Sequence, residues 1–213
     1  MKTGIIDYGV GNLGSLFNVL KTLSANPVLI QRPEDLGSAD CLILPGVGNY
    51  ADCFRLLSEG QWIDSIKDEV SVSQQPLLGI CVGMQLLGNS STEGSCPDDE
   101  ESCGLGLIPG TVRHLLEIGC TLRIPHVGWN SINLTKHCDG LFRGIPDGTD
   151  FYFVHSYGFI PNDQRDILAT VNYGIPVTAA VQRENVWGAQ FHPEKSSRAG
   201  FRLIRNFITT CRC

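Results

Sequence analysis

The sequence has no apolar run approaching the roughly 18 residues that a membrane-crossing helix needs, which excludes a helical anchor within it. It has no basic excess. Lys and Arg number 16 against 22 Asp and Glu, a formal net charge of −6, so it carries no electrostatic footprint for nucleic acid as a main partner. It also has no CxxC pair among its nine cysteines. Cys96, Cys103, His137 and Cys138 could be gathered into a zinc site only across long spacings, so no metal is expected. A secreted disulfide framework would call for a short chain, an even cysteine count and a signal segment. Here residues 3–7 already read as a strand, and the expectation is a cytoplasmic chain with reduced thiols. Cys211 and Cys213 are read as incidental. Charged residues are also sparse, at 18% against 42% hydrophobic, the balance of an ordinary globule.

What the chain does have is Gly79-Ile80-Cys81-Val82-Gly83. An apolar run precedes it and reads as a buried strand; Val82 onward reads as the start of a helix. Glycines two before and two after a nucleophile, at a strand-to-helix turn, form the pattern of a nucleophile elbow, here with Cys in place of Ser. The turn lifts the sulfur off the sheet edge to a helix N-terminus, where partial positive charge favours thiolate. The backbone N–H of Val82 can then help hold an oxyanion. Taken alone, the pentapeptide fits a small buried core cysteine equally well.

A second segment, Gln190-Phe191-His192-Pro193-Glu194, changes the balance. A thiol nucleophile needs a base, and the base gains from a carboxylate that orients it. Residues 186–191 read as a strand, so His192 falls at its end, and Pro193 fixes the backbone between His192 and Glu194. In isolation this would be a surface histidine beside a solvated glutamate. With the elbow, a Cys81-His192-Glu194 triad is the better reading.

The first half alternates strand and helix: strands at 3–7, 28–31, 41–44 and 76–80, helices at 13–23, 50–57 and 62–70. This order predicts an α/β fold with a mixed, mostly parallel central sheet flanked by helices. Ligands of such sheets bind outside the carboxyl ends of the strands, so Asp7, the 45–48 loop and Cys81 should share one rim. Residues 89–103 read as a polar loop containing the acidic run 98–101. The second half reads as β-rich, with strands at 111–116, 121–124, 131–134, 151–155, 167–172, 177–182 and 186–191, and a last helix at 198–209. No linker or repeat interrupts it, and residues 1–213 are expected to form one domain. Gly9-Val10-Gly11-Asn12-Leu13-Gly14 has GxGxxG spacing, but only Glu34 stands near the place of the required acidic residue, so no dinucleotide cofactor is expected. In Pro45-Gly46-Val47-Gly48 the glycines allow a peptide to flip and the backbone to approach a ligand, making the Val47 N–H a candidate oxyanion donor opposite the elbow. The plain reading of that loop is a strand-ending turn.

Across nearly its whole length the chain resembles the class I, triad-type glutamine amidotransferases, whose fold is flavodoxin-like. The elbow with Met84-Gln85, the 45–48 loop and Phe191-His192-Pro193-Glu194 carry this resemblance. Three narrower segments are similar to the glutaminase subunit of imidazole glycerol phosphate synthase: Asp7-Tyr8-Gly9-Val10-Gly11-Asn12, Pro125-His126-Val127-Gly128-Trp129-Asn130 and Phe151-Tyr152-Phe153-Val154-His155-Ser156-Tyr157. The resemblance implies hydrolysis of L-glutamine to glutamate and ammonia, with no cofactor. The ammonia would pass to a (β/α)8-barrel cyclase subunit, in a heterodimer serving histidine biosynthesis. It implies Cys81 as nucleophile, His192 as base, Glu194 as its orienter, and Val47 and Val82 as oxyanion donors. Gly46, Gly48, Gln85, His155, Ser156, Tyr157 and Ser197 would line the glutamine pocket, and Asn12, Trp129, Tyr152 and Lys195 would face the partner. Val127 stands where that subunit often has Met. Glu194-Lys195-Ser196-Ser197 and residues 104–110 also occur in a paralogous group that feeds ammonia to sugar amidation in surface polysaccharide synthesis, so that acceptor stays open as the alternative. A cysteine peptidase would use a histidine elsewhere, and a non-catalytic subunit would have lost a triad member.

Overall fold

Strands buried on both faces read as continuous apolar runs, and the first half of the chain is built from them. The computed structural model describes residues 1–94, 102–135 and 140–211. In it β1 (Thr3–Ile6), β3 (Cys41–Leu44) and β4 (Leu77–Ile80) are buried at every position, with β2 (Pro27–Ile30) at the sheet edge. Between them lie α1 (Leu13–Thr22), α2 (Tyr50–Glu59) and α3 (Trp62–Ser71). Each helix buries one stripe at three- to four-residue spacing, such as Tyr50, Cys53 and Leu57 in α2. The Asn49 side chain caps α2 by accepting the Asp52 N–H at 3.2 Å.

After β4 come a one-turn helix α4 (Val82–Gln85) and the short strands β5 (Ser90–Ser91), β6 (Ser102–Cys103) and β7 (Gly110–His114). Then follow β8 (His126–Leu134), β9 (Asp150–His155), β10 (Tyr157–Pro161), β11 (Ile167–Asn172), β12 (Pro176–Arg183), β13 (Val186–Ala189) and α5 (Ser197–Thr210). The main sheet runs β2-β1-β3-β4-β13-β12-β11-β8-β9. It is parallel from β2 to β13 and antiparallel beyond. A smaller sheet runs β10-β7-β5-β6. Among the described residues no helix is long and apolar enough to cross a membrane.

Four sequence expectations need correction. Residues 121–124 form no strand; they are mostly exposed and precede Pro125, which has no N–H to give to a ladder. The strand expected at 131–134 begins at His126, because β8 pairs with β9 from His126↔His155 to Ser131↔Asp150. β10 is absent from the sequence expectation; Gly158 and Pro161 weaken its strand signal. The 89–103 loop contributes β5 and β6, paired at Ser90↔Cys103. Its acidic run 98–101 lies outside the described residues, as do Cys96, His137, Cys138 and Cys213.

Packing in the second half sets the site. Phe151 and Phe153 of β9 meet Phe191, with ring centroids 4.1 and 5.6 Å apart. Such aromatic pairs contribute about 0.5–1.5 kcal/mol each beyond the area they bury. They clamp β9 against the segment that carries His192.

Candidate active site

β4 ends at Ile80 and α4 begins at Val82, so Cys81 alone makes the turn, at φ 56° and ψ −114°. A non-glycine residue at such a φ costs on the order of 1–3 kcal/mol and persists only when its surroundings fix it. Here they do. The Cys81 N–H donates to the Ala189 carbonyl at 2.8 Å, and the Cys81 carbonyl accepts from the N–H groups of Met84 and Gln85 at 3.0 and 3.2 Å. A Cβ on Gly83 would fall on the Leu44 carbonyl, and one on Gly46 would lie 2.5 Å from the Gly83 nitrogen. The glycines are therefore needed for the close approach of β3, the 45–48 loop and the elbow.

β13 runs parallel beside β4, with Ala189 opposite Ile80. The chain leaving β13 thus passes the elbow directly. Gln190 Nε2 comes 4.0 Å from the Cys81 sulfur, and the Val154 carbonyl lies 3.9 Å from it. The His192 N–H donates to the Tyr152 carbonyl at 2.9 Å. The His192 carbonyl accepts from the Ser196 hydroxyl at 2.6 Å, and that hydroxyl accepts the Tyr152 N–H at 3.0 Å. A 3-10 turn, Pro193–Lys195, then folds Glu194 back, with Oε1 2.9 Å from His192 Nδ1. A carboxylate accepts, so Nδ1 bears the hydrogen and Nε2 is directed elsewhere. Nε2 is buried and makes no hydrogen bond within the protein. Burial acts to lower the His192 pKa, but the neighbouring Cys81 and Glu194 together raise it to about 9. Glu194 Oε1 also accepts from Asn12 Nδ2 at 3.2 Å, while Oε2 is buried without a partner.

A cavity of about 210 Å³ opens over the Cys81 sulfur. That is below the roughly 300–1,000 Å³ of sites for drug-sized ligands, and it suits a small metabolite. Of the residues the sequence singled out, Val47, Gly48, Cys81, Val82, Gln85, His155, Ser156, Tyr157 and His192 line it. Gln85 Nε2 is held by the Tyr157 carbonyl at 3.1 Å and by Gln190 Oε1 at 3.0 Å. The 45–48 loop is pinned on both flanks: the Tyr8 hydroxyl donates to the Pro45 carbonyl at 2.8 Å, and the Cys53 thiol to the Val47 carbonyl at 3.4 Å. Gly46 packs behind the cavity against the elbow, and Ser197 stands outside it, exposed, at the start of α5. The half-buried side chain of Asn12 donates to Glu194. Both ring nitrogens of His155 are already engaged, by the Tyr157 carbonyl and by His126.

Glu93 was missed by sequence reasoning. It lines the cavity, accepts the Tyr50 N–H at 3.1 Å, and burial raises its carboxyl pKa. In sequence it is one more charge in a polar loop, and only the need for a carboxylate in the site could have pointed to it.

The outer face of β8 and β9 is apolar beside this cavity. Val127 and Trp129, each 54% exposed, pair with Val154 and Tyr152. The Trp129 and Tyr152 rings meet edge to face at 6.1 Å, and Lys195 Nζ sits 5.9 Å from the Tyr152 ring centroid. Val154 thus presents its side chain to this patch and its carbonyl to the Cys81 sulfur.

The family model for glutamine amidotransferase class-I matches residues 4–211. A relative described as imidazole glycerol phosphate synthase subunit HisH 2 from Vibrio vulnificus is 46% identical, over 98% of this chain and 94% of its own. The imidazole glycerol phosphate synthase subunit HisH of Rhodospirillum rubrum is 44% identical over 98% of both chains. Among solved structures, a glutamine amidotransferase superposes with a TM-score of 0.75 over 99% of both chains at 20% identity. Another glutamine amidotransferase, from Thermotoga maritima, superposes at 0.66, over 100% of this chain and 84% of its own, at 17% identity. These structures speak to the fold alone. With the family model spanning almost the whole chain, and relatives this similar at full length, the chain belongs to the class-I glutamine amidotransferase family and, within it, to the imidazole glycerol phosphate synthase HisH subunits.

Proposed function

We propose that the chain is the glutaminase subunit of an imidazole glycerol phosphate synthase. It hydrolyses L-glutamine to glutamate and ammonia, and the ammonia passes to a (β/α)8-barrel cyclase subunit that forms imidazole glycerol phosphate and AICAR in histidine biosynthesis. The observation that carries this reading is the strained Cys81 beside a histidine whose Nδ1 is held by the buried Glu194. The synthase names of relatives at 46% and 44% identity place the histidine-pathway acceptor ahead of surface-sugar amidation. The small cavity disfavours a peptidase. One core cluster and a family model spanning residues 4–211 support a single amidotransferase domain over 1–213.

The chemistry follows from the charges. His192 faces Cys81 as imidazolium, since its pKa of about 9 keeps the ring protonated at neutral pH. The thiolate attacks the side-chain amide carbon of glutamine. The developing oxyanion is held by the backbone N–H groups of Val82 and Val47, each such donor being worth roughly 2.7–4 kcal/mol in other enzymes. Acylating the sulfur removes the anion that was raising the His192 pKa. The ring then becomes a stronger acid toward the departing ammonia and afterwards a neutral base for water. The free side of Glu93 accepts the α-ammonium group of the substrate. Glu93→Gln is expected to raise KM for glutamine by roughly 10- to 100-fold with kcat little changed, since a hydrogen bond to a charged group is worth about 1.5–3 kcal/mol. Steady-state kinetics of the complex check this, and an unchanged KM refutes the assignment.

Trp129, Tyr152 and Lys195 form the docking face, an aromatic pair and a cation of the kind that anchors interfaces. The test is glutamate release by the purified chain with and without the cyclase subunit. A one-to-one complex and a rise of at least about tenfold, or 1.4 kcal/mol of coupling, are expected. Trp129→Ala should weaken that complex and leave hydrolysis by the free chain unchanged. Full activity alone, unmoved by the cyclase, would mean an independent glutaminase.

A further inference from the structure

Two buried histidines, His155 in the cavity wall and His126 behind it, take no part in the proposed reaction. His126 of β8 is 2% exposed, His155 of β9 is 6% exposed, and they face each other in the antiparallel register. Their hydrogen positions can be deduced. His155 Nδ1 is 2.8 Å from the Tyr157 carbonyl, which only accepts, so this nitrogen carries the hydrogen. In a neutral ring Nε2 is then an acceptor, and it lies 3.0 Å from His126 Nδ1, which must donate. His126 Nε2 is left to accept, and Asn130 Nδ2 reaches it at 3.3 Å while giving its other hydrogen to the Asn172 carbonyl at 3.1 Å. A proton added to either ring would set two N–H groups against each other. Burial, the leading cause at both rings, also holds each pKa down, to about 4.

The ring of His126 has no freedom to turn away. It is stacked between Tyr173 and Phe153, with centroids at 4.0 and 4.8 Å, and the Tyr173 hydroxyl is anchored on the Arg123 carbonyl at 2.6 Å. At its far end the chain of bonds reaches the Tyr157 carbonyl, which also accepts from Nε2 of Gln85, another residue of the cavity lining. At its near end Asn130 adjoins Trp129 on the strand that presents the exposed apolar face.

We propose that Asn130, His126 and His155 form a one-directional hydrogen-bond chain, running from the partner-facing strand, that positions the Ser156 and Tyr157 wall of the glutamine pocket. His126 is its central positioning residue. The inference rests on the reading of the cavity as a glutamine site. It deepens that reading by joining the docking face to substrate affinity through defined tautomers.

Imidazole nitrogen NMR of the intact labelled chain at neutral pH tests it directly. Both rings should be neutral with the hydrogen on Nδ1; a hydrogen on Nε2 of either ring, or a charged ring, overturns it. In the complex with the cyclase, His126→Leu should raise KM for glutamine about tenfold or more with kcat within about threefold. His126→Asn, whose side-chain amide can donate where Nδ1 did, should hold KM within about threefold of the parent. An unchanged KM in the leucine variant, or equal losses in both, also overturns it. If neither variant folds, the tautomers in the parent decide. A parent complex that releases no glutamate defeats the glutaminase reading instead, and the tautomer result is read separately.

Discussion

Cys81→Ala is expected to lower glutamine hydrolysis by the complex at least about 10⁴-fold, the scale on which removing a nucleophile from a triad acts. Ammonia-dependent synthesis by the same complex, supplied with excess ammonium, should continue at close to the parental rate. The two halves of this expectation have separate causes. The sulfur is the group that attacks, and no neighbour replaces it: Gln190 and the Val154 carbonyl, which flank it, are not nucleophiles under these conditions. The cyclase chemistry needs only ammonia, whatever its source. A glutamine analogue carrying a leaving group should label Cys81 alone. Of the other described cysteines, Cys41, Cys53 and Cys120 are buried, and none lines the cavity. Label found mainly on Cys41 or Cys53, or hydrolysis surviving in the alanine variant, would overturn the assignment of the nucleophile.

The elbow around Cys81 and the parallel half of the sheet could be read from the sequence because both rest on local constraints. The elbow admits only glycine at positions 79 and 83, where a Cβ would meet backbone. The strands 41–44 and 77–80 are apolar at every position because both faces are covered. The β-rich half was less legible. His126-Val127-Gly128-Trp129-Asn130 does not show clean alternation, since its outer face is apolar and its inner face carries His126. The partnership of His126 and His155 arises from antiparallel register across a long separation, which no spacing rule reveals. The contact of Asn12 with Glu194, far away in sequence, follows from the parallel order of the sheet and has no local signal. Glu93 was hidden among the charges of a loop whose fold depends on pairing with β7.

The second large effect is expected at His192 and Glu194, and it differs in kind from the first. His192→Asn removes both the counter-ion of the thiolate and the acid that protonates ammonia, so turnover should fall by roughly 10⁴-fold or more. Glu194→Gln keeps the ring but replaces an acceptor with an amide that can present its N–H to Nδ1. The wrong tautomer is then favoured, and a loss of about 10²- to 10⁴-fold is expected, smaller than for the histidine. The pH profile separates the two roles. With the His192 pKa raised to about 9, the imidazolium persists at neutral pH and is lost as pH rises through that value. The kcat/KM of the parent complex should therefore fall on an alkaline limb near pH 9. Glu194 is one of the two groups that raise this pKa, so in Glu194→Gln the limb should move to lower pH. Asn12→Ala removes the donor at 3.2 Å from the same carboxylate oxygen. It strengthens Glu194 as an acceptor for His192, and its limb should not follow that of the glutamine variant downward. Profiles of hydrolysis by the three complexes, from neutral to alkaline pH, measure these shifts. A limb in Glu194→Gln that coincides with the parent's would show that the glutamate does not tune the histidine, and the two-residue base would have to be abandoned.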